Sequence, residues 1–196
     1  MTAIVIRRAT ATDREFVLKS WADNYKMSHN AGPLPVKSFW VYEDCPTCGG
    51  NVPVDRSYWP TMMAVLGELL ARPGIEVHVA AVPDEAPPDD IYGWIAIERD
   101  VWAPKRQRVD GWTEEVMAPL EQALVHYVFV KQGFREHGVA RRLFAAAGVD
   151  RAKTFFYSFS TATAAAAAKH RKADGTLLLA DARFDPRLSR FPKTSP

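Results

Sequence analysis

Cysteine is scarce in this chain: Cys45 and Cys48 are the only two in 196 residues. Two thiolates cannot close a tetrahedral zinc site, which needs four ligands, so any zinc here requires histidines or the same motif from another subunit. Long apolar runs are also missing. None approaches the roughly 20 residues that span a bilayer, and the N-terminus lacks the layout of a signal peptide. Net charge is nearly absent, at +2, too small to argue for nucleic acid or a membrane surface. These absences lead to the expectation of a cytoplasmic protein with no nucleic-acid or membrane partner. What is present suits a globular chain, 47% hydrophobic and 24% charged, long enough for one domain with a substantial core. That domain is expected over 1–185, with a tail at 186–196.

The apolar pattern gives the order of elements. Ile4, Val5 and Ile6 suggest a first strand, and Thr12 or Asp13 can cap a helix carrying Phe16, Val17, Trp21 and Tyr25. Residues 29–54 lack clean periodicity and are expected to form a long ordered loop. A second helix is expected over 55–71, with Pro60 in its first turn, where proline is tolerated. Strands follow at 75–82 and 91–98, joined as a hairpin. The segment 100–122 is expected to be an excursion with one or two helical turns. Further strands are expected at 124–130, 154–160 and 176–180, with helices opening near Val139 and over the alanine-rich 161–172.

The most informative stretch is Leu124-Val-His-Tyr-Val-Phe-Val130, a β-rich apolar run, followed at once by Arg135-Glu-His-Gly138-Val-Ala140 and an apolar helix. Small residues where a helix begins leave several N–H groups pointing outward at the positive end of the helix dipole. A phosphate or pyrophosphate is the natural guest. Arg135-x-x-Gly138-x-Ala140 resembles the Q/R-x-x-G-x-G/A signature of the GCN5-related N-acetyltransferase (GNAT) superfamily. The order β-α-α-β-β-β-α-β-α-β resembles that family over about residues 4–180. The opening from Ile6 to His29 also resembles a subgroup of GNAT-like proteins encoded by bacteriophages.

The resemblance implies a mixed α/β fold, with a central, mostly antiparallel sheet, splayed fourth and fifth strands, and flanking helices. It implies acetyl-CoA as cosubstrate and transfer of its acetyl group to the amine of a small molecule or protein. Main-chain groups of Val128 and Val130 would then pair with the pantetheine arm. Arg135 and the amides of His137, Gly138, Val139, Ala140 and Arg141 would hold the pyrophosphate. Candidate bases are His126, whose ordinary pKa suits the task, and Glu98, which the end of its strand would leave solvated. The helix over 161–172 has no tyrosine to serve as the acid, which leaves Tyr157 as the candidate.

Two readings of the function stay open. The missing tyrosine, the inserted segments 29–54 and 100–122, and the cysteine pair fit equally a GNAT-fold protein retained for binding or assembly, for instance in a phage virion. Tyr25, His29, Phe39, Trp40 and Tyr42 would frame an acceptor pocket, pack the loop, or meet a partner or a second copy. Cys45-Pro-Thr-Cys48 with His29 and His78 would make a zinc site; alternatively the two are ordinary loop thiols or a disulfide.

Overall fold

A computed structural model describes residues 4–27, 41–44, 51–54, 58–83, 90–109, 112–159, 182–185 and 188. β1 (Val5–Arg8) leads through a single 3-10 turn into α1 (Arg14–Met27). Asp13 fixes that entry. Its carboxylate accepts hydrogen bonds from the Thr10 amide at 2.6 Å and the Thr10 hydroxyl at 2.9 Å, and the Arg7 guanidinium grips it through two nitrogens. α1 buries Val17, Leu18, Trp21, Ala22 and Tyr25, one stripe at helical spacing. α2 (Tyr58–Leu70) buries Met62, Leu66 and Leu69 beside it and stops short of Pro73, which cannot continue a helix.

Between the two helices lies a difference from expectation. Residues 41–44 (β2) and 51–54 (β3) pair as an antiparallel ribbon rather than remaining loop. Strands of four residues that contain Glu43, Asp44 and Pro53 are too short and too polar to show an alternating pattern.

β4 (Ile75–Ala81), β5 (Ile91–Glu98) and β8 (Leu124–Val130) form the centre of a sheet that has six strands among the described residues, ordered β1-β4-β5-β8-β9-β10. Their near-continuous apolar runs follow from burial on both faces. Pairing is antiparallel from β1 through β8 and parallel from β8 to β9 (Phe155–Tyr157) and on to β10 (Ala182–Phe184). One face packs Trp94, Ala96 and Tyr127 against α1 and α2. The other packs Ile95, Ile97 and Val125 against α3 (Val139–Ala146) through Val139, Leu143 and Phe144.

Among the described residues the segment 100–122 holds no helical turn. It is a second antiparallel ribbon, β6 (Trp102–Val109) and β7 (Trp112–Pro119), in full register from Trp102↔Pro119 to Val109↔Trp112. Polar residues on both of its faces hide the period of two. The Asp110-Gly111 pair between the strands is, however, a strong hairpin signal in the sequence. Leu188, expected in a fraying tail, is buried with Val101, Ala103 and Leu124. The helix expected over 161–172 and the strand expected over 176–180 lie outside the described residues.

Candidate active site

β8 and β9 meet only briefly. Among the described residues their register is a single pair, Val125↔Tyr157, followed by one bond from the Ser158 amide to the Val125 carbonyl at 3.1 Å. Beyond that point β8 continues to Val130, hydrogen-bonded on its other side to β5, so Val128 and Val130 lie past the last β9 contact. This is where the two strands are expected to part; the chain that follows on the β9 side lies outside the described residues over 160–181.

A β-bulge marks the place where they part. Ala96 pairs with Tyr127 and Ile97 with Val125, so His126 has no residue opposite it on β5. The extra residue turns the His126 ring into a buried polar chain. Its Nδ1 is 2.7 Å from the Ser158 hydroxyl and its Nε2 is 3.0 Å from Glu98 Oε2. His126 and Ser158 have no solvent exposure. Burial lowers the His126 pKa below the ordinary histidine value. The hydrogen bond and charge of Glu98 oppose that shift, and the charge of Arg72 adds to it. Glu98 is buried, not the solvated strand-end carboxylate that its position suggests. Arg72 approaches Glu98 Oε2 to 3.9 Å, and both line an open pocket of about 460 Å³ with Gly74, Arg99 and Asp100.

The structure thus joins His126 and Glu98, candidates that the sequence offered as alternatives. It sets Tyr157 apart from them: that ring packs on the α3 side, 5.4 Å from the Phe184 ring. Ser158, which faces His126, escaped notice in the sequence. The available signal was a small polar residue in the aromatic run Phe155-Phe-Tyr-Ser-Phe159. Trp21 of α1 lies over the parting strands, with ring centroids 5.2 Å from both Tyr127 and Phe159. Tyr25, which could have framed an acceptor pocket, packed the loop or met a partner, is core, packed edge-on against Phe159.

At the far end of β8 the chain turns through a 3-10 segment, Gln132–Phe134, into the start of α3. Phe134 stacks on Tyr92 at 3.8 Å and holds this turn to β5. Gly138 caps the helix in the left-handed region, φ 74°, and a Cβ there would meet no atom within 4 Å, so the space above it is open. The first intrahelical bond runs from the Arg142 amide to the Gly138 carbonyl, so Val139, Ala140 and Arg141 have no intrahelical acceptor. Arg135, His137, Arg141 and Arg142 are exposed around this point. The Arg135 Nε–H donates to the Val130 carbonyl at 3.3 Å and the His137 Nδ1–H to the Arg135 carbonyl at 2.9 Å. Cations and unpaired helix N–H groups about an open space fit a pyrophosphate.

The metal reading has less support. His78 is paired with Glu76 at 3.3 Å, and among the described residues no three of His, Cys, Asp or Glu cluster to hold a metal. Cys45, Cys48, His29, Phe39 and Trp40 lie outside the described residues, as does the Tyr42 side chain. No described helix is long and apolar enough to cross a membrane.

No protein-family model and no curated protein matches the chain. Solved structures of acetyltransferases resemble it. One, from Vibrio fischeri, is 19% identical, with 79% of this chain and 94% of that chain covered and a TM-score of 0.39. An aminoglycoside N-acetyltransferase solved in complex with CoA is 18% identical, with 76% and 68% covered and a TM-score of 0.35. An aminoglycoside acetyltransferase from an uncultured soil metagenomic sample, in complex with sisomicin, is 14% identical, with 74% and 67% covered and a TM-score of 0.35.

Proposed function

We propose that the protein is an acetyl-CoA-dependent N-acetyltransferase of the GNAT type, acting on the amine of a small molecule or protein. One observation carries this reading: a single strand, β8, leaves its parallel neighbour at a buried histidine and ends at the cation-ringed N-terminus of α3. The distance between those features is set by one strand, so one extended ligand with an anionic end can reach both.

Bound acetyl-CoA supplies the activated acyl group. In this reading Arg135 and the amides from His137 to Arg141 hold the pyrophosphate, and the main chain of Val128 and Val130 holds the pantetheine arm as an added strand would be held. The thioester then lies toward the parting of β8 and β9. His126 serves as the base for the acceptor ammonium; a neutral imidazole can take a proton, and burial favours that form. Zinc at Cys45 and Cys48 has no part in this reading.

A second reading rests on the β6–β7 ribbon, where Trp102, Trp112 and Met117 are exposed large apolar side chains. They favour a binding or assembly role, in a virion or a homo-oligomer, with the cofactor seat as a remnant. Turnover separates the two. Wild-type protein is titrated with acetyl-CoA by calorimetry and then assayed for CoA release against a panel of amines. Binding with turnover supports the transferase, binding alone supports the assembly protein, and no binding by folded protein defeats the cofactor assignment.

A further inference from the structure

A second cavity opens at the base of the β6–β7 ribbon, with a volume of about 480 Å³. Its lining comes from β6, the end of β7, the segment 120–122 that follows, β9 and β10. The floor is apolar. Leu120 and Phe156 pack there against the buried Ala103, Leu124 and Leu188. The rim is basic. Lys105 and Arg106 come from β6 and Arg183 from β10, against one acid, Glu121.

The register of the strands brings the two kinds of group together. β9 and β10 run parallel with Arg183 opposite Phe156, and residues opposite one another carry their side chains on the same face. Phe155 and Tyr157 alternate to the other face, toward α3. The Arg183 side chain therefore leaves the sheet beside the Phe156 ring. On the ribbon, Lys105 shares a face with Ala103, the residue buried in the floor. All three cations are exposed, and none forms an ion pair or side-chain hydrogen bond with a described residue. The whole chain carries a net charge of only +2, so this basic rim is a local excess. Like charges gathered on one cavity repel each other, and a bound anion relieves that repulsion.

We propose that this cavity binds a small phosphate monoester with an apolar or aromatic body. Arg106 and Arg183 offer planar forks that each take two oxygens of one phosphate, and Lys105 adds a point charge. Phe156 and Leu120 receive the body. Glu121 repels further negative charge, so a single phosphate suits the lining better than a polyphosphate. The volume is in the range of small-molecule sites.

This site is distinct from the proposed cofactor seat. The segment 120–122 enters β8 at Leu124, and the turn toward Gly138 leaves it after Val130. A strand of seven residues thus separates the two anion seats, a span of roughly 20 Å. The proposal holds whether or not the protein transfers acetyl groups.

Phenyl phosphate is the probe. It is titrated by calorimetry into wild-type protein, into wild type with saturating acetyl-CoA, and into Gly138→Glu, where the added carboxylate guards the start of α3. One site is expected in all three. Phenyl phosphate should bind about tenfold more tightly than inorganic phosphate, the worth of burying one ring face. It should also bind more tightly than benzoate, which has the ring but a single charge. Arg183→Gln and Lys105→Gln should each weaken it several-fold, Arg183→Glu should abolish it, and added salt should weaken it in the wild type. These side chains are exposed, so the variants should melt with the wild type. Phe156→Leu keeps the floor apolar and should erase most of the preference over inorganic phosphate. Amide NMR should place the largest ligand-induced shifts at 154–156 and 183. No heat at millimolar phenyl phosphate, equal affinity for phenyl and inorganic phosphate, or an affinity untouched by Arg183→Glu would each overturn the site. Binding that acetyl-CoA displaces and Gly138→Glu removes would place the anion at the start of α3 and overturn it likewise.

Discussion

His126 Nε2 lies 3.0 Å from Glu98 Oε2, a contact across 28 positions of chain in a site with no solvent at the ring. It makes stability depend on pH in a definite direction. The folded state lowers the His126 pKa, chiefly by burial, whereas the unfolded chain takes up a proton near the ordinary value of about 6.5. Above that value both states are neutral at this site and the contribution to stability is complete. As pH falls below it, the unfolded state binds a proton that the folded state refuses, and stability declines until the folded pKa is reached. Urea midpoints should therefore fall between about pH 6.5 and 5, before the usual carboxylate range near pH 4 begins. His126→Gln should flatten that slope. An equal slope in wild type and variant would show that the histidine is not the source.

The same shift changes the kinetic expectation. An unperturbed histidine places the acidic limb of the rate profile near pH 6 to 7, whereas this buried ring places it lower.

Gly138 separates strain from charge. Its φ of 74° costs any L side chain about 1–2 kcal/mol, yet an added Cβ meets nothing within 4 Å. Gly138→Glu and Gly138→Lys should thus share a modest loss of stability while differing in ligand affinity. The glutamate puts a negative charge in the proposed pyrophosphate seat and should abolish acetyl-CoA binding by calorimetry, whereas the lysine should retain measurable binding. Equal affinities for the two variants would remove the pyrophosphate from this turn.

Gly93 has the opposite problem. A Cβ there would stand 2.7 Å from the Phe129 carbonyl oxygen and 3.2 Å from a Val139 methyl group. The backbone of β8 cannot give way cheaply, so Gly93→Ala should destabilise by about 1–3 kcal/mol, the usual cost of overpacking. Because Val139 opens α3, the same change should also weaken acetyl-CoA binding. Gly133→Ala, at a position where a Cβ meets nothing, is the matched control and should be close to neutral in chemical denaturation.

How far the sequence carried depended on the length and polarity of each element. β4, β5 and β8 are buried on both faces, so their apolar runs announce themselves, and α1 and α2 show their stripes. The ribbons β2–β3 and β6–β7 have no such asymmetry and passed for loop and helical turns. In the site, His126 and Glu98 were legible as residue types but not as a pair. Pairing required the bulge, which shifts register by one residue and has no compositional mark. Ser158 was hidden for the same reason, and Tyr157, chemically the more obvious residue, alternates to the opposite face.

The β6–β7 ribbon offers the last test, since it divides the two readings of function. Its base is closed by the Leu120 amide bonding to the Val101 carbonyl at 2.8 Å and fixed to the body by Ala103, buried with Leu124 and Leu188. Beyond Ala103 and Ala118 the strands carry mostly exposed side chains, including Lys105, Arg106 and Arg108 on one strand and Glu114 and Glu115 on the other. A two-stranded ribbon without a packed face adds little to the stability of the whole. Joining Ala103 to Ala118 through an Asn-Gly turn should therefore leave the melting temperature within a few degrees and the acetyl-CoA affinity unchanged. If the protein is a transferase for small amines, turnover should survive as well. Loss of self-association on gel filtration, with acetyl-CoA binding intact, would instead assign Trp112 and Met117 to an interface and favour the assembly role. A large drop in melting temperature would show that the ribbon supports the core, contrary to its exposed faces.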